Sequence, residues 1–241
     1  MIRLSTVAML LVGACFAAAP ASAVIQDFNG PTAGLVVAGT LPQGGTAPGT
    51  LFPDMTISVP NNNGPQTCII FDSSNPTGED PDLGTPNNTC GGPGVGTGGE
   101  VGQPGENCVA RGNLLIIAED LGDANTDNIV DDPDDDANGG TITFEFDDVV
   151  IVTRMVIIDI DNESAQCNLE NDGTLKGTVN GGDLGNNSAQ ELDLSGYGEI
   201  TRLEISFSSS GAIAEMEYFP APTPVENSSW GKIKQLYGAS E

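Results

Sequence analysis

The sequence contains no histidine, and among its 241 residues only seven are lysine or arginine, against 34 aspartates and glutamates. The missing histidine excludes Ser–His and Cys–His nucleophiles and histidine-ligated zinc. No phosphate-binding loop or dinucleotide fingerprint is present either. The formal net charge of −27 argues against nucleic acid or an anionic membrane as a partner, because phosphates are bound by lysine and arginine. These absences favour a protein without catalytic activity that attracts cations.

Aromatic residues and long apolar runs are also scarce. Aromatic side chains make up 5% of the chain, which has a single tryptophan, Trp230. Beyond the N-terminal region no segment approaches the ~20 apolar residues that a membrane span needs. Turn-forming residues are abundant: the 32 glycines and 16 prolines indicate many turns and β structure rather than helices.

Residues 1–23 have the pattern of a secretory signal peptide. A positive charge near the start is followed by an apolar stretch at 7–19 and by the A-x-A cleavage site Ala21-Ser22-Ala23. We therefore expect a mature chain that begins at Val24 and is secreted, either extracellular or held at the cell surface. The alternative is a lipoprotein box that ends at Cys15 and would leave a lipid on that cysteine.

Four cysteines follow the signal: Cys68, Cys90, Cys108 and Cys167. An even number in an exported chain predicts two disulfides, for which three pairings are open. Cys90 and Cys108 flank a glycine-rich stretch and are the first candidates for one bond, which leaves Cys68 with Cys167. A metal–thiolate site is less consistent with the sequence, since it has no C-x-x-C spacing.

Short β-type segments recur between turn signals over residues 24–219. The segment "TITFEF" (141–146) alternates apolar and polar residues, as a strand buried on one face does, whereas "MVIIDI" (155–160) is nearly continuous, as in a strand covered on both faces. The predicted fold is an all-β sandwich of jelly-roll type. The predicted strands lie at 34–39, 55–60, 67–72, 113–120, 141–146, 149–161, 174–179, 199–208 and 212–219.

Three segments fall outside this strand pattern. The stretch between Asp72 and Asn113 has almost no apolar content and is predicted to be a long, ordered loop tied by a disulfide. Residues 220–229 form a proline- and serine-rich linker. The tail 230–241 spaces four apolar residues along one face of a short helix. It is either a frayed end or a sorting or docking tail. Those four residues are Trp230, Ile233, Leu236 and Tyr237.

The stretch "DANTDNIVDDPDDD" (123–136) has the spacing of a calcium loop. Six residues occupy positions 1, 3, 5, 7, 9 and 12 of such a loop, where oxygen ligands converge on one ion. Asn128 stands at position 6, where a left-handed backbone is needed and asparagine tolerates it. The alternative is a solvated acidic loop. The six predicted ligands are Asp123, Asn125, Asp127, Ile129 (through its backbone carbonyl), Asp131 and Asp134.

This loop resembles the helix-free calcium loops of thrombospondin type-3 repeats. The wider set "DSSNPTGEDPDLG", "LLIIAED", "DPDD" and "DID" is similar to motifs of exported bacterial β-sandwich proteins. The resemblance covers roughly residues 66–161 and implies a surface β-sandwich. It gives no established activity that could be assigned to this chain. Other carboxylates at strand ends are candidates for a second ion site, with ordinary turn chemistry as the alternative for each. They are Asp72, Asp80, Asp82, Asp159 and Asp161.

The sequence therefore predicts a secreted or cell-surface, Ca²⁺-binding β-sandwich with a structural or adhesive role. Its partners would be a surface polysaccharide or another extracellular protein, and its oligomeric state is left open. The alternative is a carbohydrate-binding module or a calcium-dependent glycan-active enzyme. The scarcity of tryptophan and tyrosine in the domain argues against an aromatic sugar platform.

Overall fold

The structure is a computed structural model that describes residues 22–60, 66–99 and 101–222. Residues 1–21 of the predicted signal (1–23), residues 223–229 of the predicted linker (220–229) and the whole predicted tail (230–241) lie outside the described residues. Within those ranges the regular structure consists of β-strands and two short 3₁₀ helices, Pro81–Leu83 and Ser195–Tyr197, and no helix is long and apolar enough to cross a membrane. The strands are β1 (Val24–Gln26), β2 (Val36–Thr40), β3 (Thr46–Pro48), β4 (Met55–Ser58), β5 (Cys68–Asp72), β6 (Asn113–Ile117), β7 (Gly140–Ile158), β8 (Ala165–Asn171), β9 (Thr174–Gly181), β10 (Ala189–Asp193), β11 (Glu199–Phe207) and β12 (Ala212–Pro220).

The strands form two layers that share β7. In its first half Phe144 pairs with Ile57 of β4 and Leu203 of β11, and β11 continues into β8 and β9. In its second half Met155 pairs with Leu192 of β10 and Met216 of β12, and β12 continues through β6 and β5 to β2 and β3. We refer to these layers as the first and second sheet. The chain passes repeatedly from one sheet to the other, as a jelly roll requires.

The prediction of two separate strands in the region of β7 is wrong. The segments 141–146 and 149–161 were predicted as two strands, yet Gly140–Ile158 is a single strand of 19 residues. The exposed pair Asp147 and Asp148 interrupts the apolar pattern at the point where β7 passes between the sheets. The pairing with β11 skips residues 146–149, where its register shifts between Ile200 and Arg202. The strand continues across this pair because the Asp147 amide donates to the Asp54 carbonyl and the Val149 carbonyl accepts from the Ala221 amide.

The main core lies between the two sheets. Ile57, Phe144 and Leu203 of the first sheet and Ile70 and Leu115 of the second are at most 1% exposed and belong to one apolar cluster. Burial of each such side chain stabilises the fold by about 1.5–3 kcal/mol. The all-β sandwich predicted from the sequence is confirmed.

The second sheet is also apolar on its outer face. Phe71, Leu114 and Ile158 form a second buried cluster there, and loops rather than a third layer cover it. Leu83, from the segment after β5, and Val130, from the acidic segment after β6, supply the cover and are themselves buried. This two-sided burial explains why "MVIIDI" shows no alternation, as the sequence predicted.

The long segment between β5 and β6 is ordered, as predicted, and the Cys90–Cys108 disulfide ties it with a Cα–Cα distance of 5.4 Å. Its two ends are held together at the sheet. The Ser73 hydroxyl lies 2.6 Å from the Thr85 hydroxyl and donates to the Gly112 carbonyl at 2.6 Å.

The proposed pairing of Cys68 with Cys167 is wrong. Both residues are free thiols buried in the main core. Cys68 lies on β5 of the second sheet, whereas Cys167 lies on β8 of the first, so the two strands belong to different layers. Burial raises the pKa of each thiol to about 12, which keeps both protonated and unreactive.

The cysteine assignment predicts a thiol count for the chain expressed from Val24 onward, which omits Cys15. A thiol-reactive chromogenic disulfide should find no accessible thiol in the native protein and two thiols per chain in guanidinium without reductant. The Cys68→Ala variant should show one under the same conditions. A count of zero in the denatured wild-type protein would mean that Cys68 and Cys167 are bonded after all.

Candidate metal centre

Two loops meet over the outer face of the second sheet. The first loop is residues 73–85, which follow β5, and the second is residues 119–137, which follow β6. The Gly78 amide donates to Asp132 Oδ1 at 2.8 Å, and Thr77 Oγ1 donates to the Pro133 carbonyl at 3.0 Å. Gly78 has φ +66°, and a Cβ there would lie 2.5 Å from the Pro133 oxygen. Only glycine allows this approach.

Three carboxylates converge where these loops touch. Oxygen atoms of Asp80, Asp134 and Asp135 all lie within 4.8 Å of one another, and in the described ranges this is the group of three acidic side chains that is spaced to hold a metal ion. The Asp135 amide donates to Asp80 Oδ2 at 2.9 Å, and the Gly211 amide donates to Asp135 Oδ2. Asp135 is 5% exposed. We call these three residues the acidic centre.

Among the described residues no ion pair joins a positive side chain to the acidic centre. Arg154 and Arg202 pair with glutamates on the strands instead. Burial raises the pKa of Asp80 to about 9, with the charge of Asp135 as the next cause. Burial likewise raises the pKa of Asp135 to about 8 and that of Asp134 above its usual range. Carboxyl groups this close must share protons or a cation.

A second acidic pair lies beside this centre. Burial, followed by the charge of Asp82, raises the pKa of Asp159 to about 7, and burial also raises the pKa of Asp82. Asp159 is 4% exposed and accepts a hydrogen bond from the Asn187 amide at 2.6 Å. Asp72, by contrast, accepts from Ser74 within its own turn. The residues predicted as a second ion site are therefore divided: Asp80 joins the acidic centre, and Asp82 interacts with Asp159 and Asp161.

In the predicted calcium loop, the side-chain oxygens accept hydrogen bonds from the loop's own backbone amides. Asp123 accepts from the Asp127 and Asn128 amides at 3.1 and 2.8 Å, and Asn125 Oδ1 accepts from the Asp127 amide at 3.0 Å. Asp127 Oδ1 accepts from the Ile129 amide at 2.9 Å. Asn128 has φ +66°, the left-handed backbone that position 6 requires.

The remaining predicted side-chain ligands, Asp131 and Asp134, lie in the C-terminal part of this loop. Asp131 Oδ2 accepts from the Ala124 amide at 2.7 Å. Asp134 joins Asp80 and Asp135. Asp135 had no place in the predicted ligand set, because it follows the twelfth position of the pattern. Only the fold shows that Asp80, 55 residues earlier, lies beside it.

Comparisons with known proteins do not assign a family. No family model and no curated protein matches this chain. A solved structure of CpGH89CBM32-6 from Clostridium perfringens has a TM-score of 0.31 and 11% identity, covering 71% of this chain and 98% of that chain. CBM32-3 from a family 31 glycoside hydrolase of the same organism has a TM-score of 0.26 and 13% identity, covering 35% and 69%.

A third similar structure is the catalytic domain of a GH87 α-1,3-glucanase, with a TM-score of 0.28 and 12% identity, covering 71% of this chain and 30% of that chain. Similarities at this level carry no argument about fold or function. Both conclusions therefore rest on the residues of this chain.

The raised carboxyl pKa values in and beside the acidic centre predict that, without divalent cations, the protein becomes less stable as the pH rises. The pKa values of Asp80, Asp135 and Asp159, about 9, 8 and 7 in the folded protein, lie above the ordinary value of 3.8. The folded state therefore holds protons that the unfolded chain releases. This contribution is complete below about pH 4 and is lost as the pH rises through the three folded values.

Urea unfolding in chelator at pH 5, 7 and 9 measures this effect. The free energy of unfolding should fall across the series, and Asp80→Asn should flatten the decline. Asp127→Asn, in the exposed part of the loop, is the matched control and should keep it. A wild-type stability that rises between pH 5 and 9 would show that these carboxyl groups are ionised without cost.

Proposed function

We propose that this protein is a secreted or cell-surface β-sandwich that binds Ca²⁺ at its acidic centre and has a structural or adhesive role without catalysis. The observation that supports the proposal is the convergence of three carboxylates from two loops with no positive side chain beside them among the described residues. An ion there would replace repulsion between the loops with a shared bond. The ion would thus hold Leu83 and Val130 over the second sheet.

The chemistry of the centre favours calcium over softer metals. All three side chains offer hard oxygen atoms, and the protein has no histidine. Ca²⁺ takes six to eight oxygen ligands in flexible geometry, whereas Mg²⁺ demands a near-ideal octahedron. Ligands on two irregular loops suit the more tolerant ion. Backbone carbonyls and water would complete its coordination.

Calcium should raise the stability of the mature chain through Asp80, Asp134 and Asp135. For a site with an affinity of about 10⁻⁴ M at about 1 mM calcium, mass action gives an increment on the order of 1–1.5 kcal/mol. Urea unfolding in calcium, in magnesium and in chelator measures it at neutral pH. Asp80→Asn should remove the increment that calcium produces.

Asp127→Asn separates the acidic centre from the predicted loop. If the ion is bound by Asp80, Asp134 and Asp135, this variant keeps the calcium increment. Loss of the increment in Asp127→Asn with retention in Asp80→Asn would place the ion in the 123–131 loop instead. The absence of any increment in the wild-type protein would contradict the proposal itself.

Assays of polysaccharide cleavage and binding test the structural or adhesive role. In the described part of the chain, no aromatic side chain is among the large exposed apolar residues, so a flat sugar platform is lacking there. The proposed absence of catalysis predicts that incubation with a panel of surface polysaccharides yields no new reducing ends or unsaturated products. Calcium-dependent retention on an immobilised polysaccharide would favour a carbohydrate-binding module. Retention on another extracellular protein would identify an adhesive partner.

A further inference from the structure

An apolar groove lies open beside β2 and β3. Its lining includes Leu35, Val37, Ala47, Pro48 and Leu51, and its volume is about 270 Å³. Leu51, in the turn after β3, is 44% exposed. Single exposed leucines are ordinary on protein surfaces, but a hollow lined almost entirely by apolar groups is suited to an apolar occupant. No residue of the described ranges fills it.

The chain itself contains a matching segment. Residues 230–241 hold Trp230, Ile233, Leu236 and Tyr237 at a spacing that places them on one face of a helix. These residues lie outside the described part of the chain. Trp230 is the only tryptophan of the protein. A tryptophan buries more apolar area than most side chains can, so it is the strongest available anchor for a hollow of this size.

The position where the described chain ends makes this contact reachable. The Ala221 amide donates to the Val149 carbonyl. Two residues before Val149, the Asp147 amide donates to the Asp54 carbonyl. Asp54 in turn lies three residues after Leu51. Following these bonds and chain steps gives an upper limit of about 30 Å from Ala221 to Leu51. The nine steps from Ala221 to Trp230 extend about 28 Å in a proline-rich chain, and the indole side chain extends beyond the Trp230 backbone.

Charge also favours the contact. Asp54, Asp147 and Asp148 are exposed along this path. On the other side, Leu35 forms a bridge with Ile129 of the acidic loop. The tail carries Lys232 and Lys234, two of the seven positive side chains of the whole chain. Opposite charges at the rim of an interface steer and orient the partner.

We propose that the C-terminal tail docks in cis into the groove formed by Leu35, Val37, Ala47, Pro48 and Leu51, with Trp230 as its anchor. Lys232 and Lys234 face the acids beside the groove. The tail then covers an apolar surface that would otherwise be open to solvent. This inference is independent of calcium binding.

Because Trp230 is the single tryptophan, its fluorescence reports the docking directly in the mature chain from Val24 to Glu241. The emission should be blue-shifted, and quenching by acrylamide should be several-fold weaker than in the urea-unfolded chain. Leu51→Asp should shift the emission to the red and restore full quenching. Val109→Asp is the matched control, since Val109 is 54% exposed but lies away from the groove.

Ile233→Asp provides a second variant that leaves the sandwich unchanged, and it should release Trp230 as Leu51→Asp does. Circular dichroism establishes that each variant is folded. Red-shifted, fully quenched emission in the wild-type protein would overturn the proposal. So would a blue shift that survives Leu51→Asp, because the tail would then bind elsewhere. A blue shift that disappears on dilution, with dimers in sedimentation, would show docking onto a second copy and overturn the cis form.

Discussion

Mutual repulsion between closely spaced carboxylates is the constraint on which the loop layer over the second sheet depends. Asp80 and Asp135 belong to loops that could separate, yet the fold presses them together with Asp134. The apolar cluster beneath supplies the opposing force, because Leu83 and Val130 are buried only while the loops stay in place. The outer face of the second sheet and the acidic centre are therefore two parts of one arrangement. Whatever neutralises the carboxylates stabilises the covering of the sheet.

The two loops are held in place by a small number of specific contacts. The contact between Gly78 and Pro133 leaves no room for a side chain, and the amides of Asp135 and Gly211 are directed at carboxylates. Such contacts are specific and short, but they are few compared with those of a strand in a sheet. A shared proton or a divalent ion would contribute a large fraction of the stability of this region. The sandwich behind it is held mainly by its own core.

Much of the fold could be predicted from the sequence, because the apolar runs carry the strand signal directly. The strands β5 and β12 coincide closely with "TCIIFD" and "AIAEMEYF", and β6 covers the first five residues of "NLLIIAED". The strand β8, "AQCNLEN", and the short β1, β3 and β10 were not predicted. Their sequences mix polar and small residues, and cross-strand pairing with neighbours defines them.

The candidate site was predictable only in part, for a related reason. Asp134 was identified through its spacing from Asp123, and Asp80 was assigned to a separate second ion site, whereas the structure brings the two together with Asp135. Spacing along a sequence reports local loops and does not report which loop lies against which. The same limit applies to the cysteines: the glycine-rich stretch suggested Cys90 with Cys108, but no local feature showed that Cys68 and Cys167 are free thiols in the core.

The direction of β12 determines where the acidic centre lies relative to the point at which the chain leaves the sandwich. Gly211, at its beginning, contacts the acidic centre, whereas Val24 pairs with Tyr218 near its end. The nine residues of β12 span about 30 Å, so the start of β1 and the exit of the chain share one pole and the acidic centre occupies the other. A support attached to the chain beyond Pro220 would leave the carboxylates facing outward, toward whatever approaches from the surroundings.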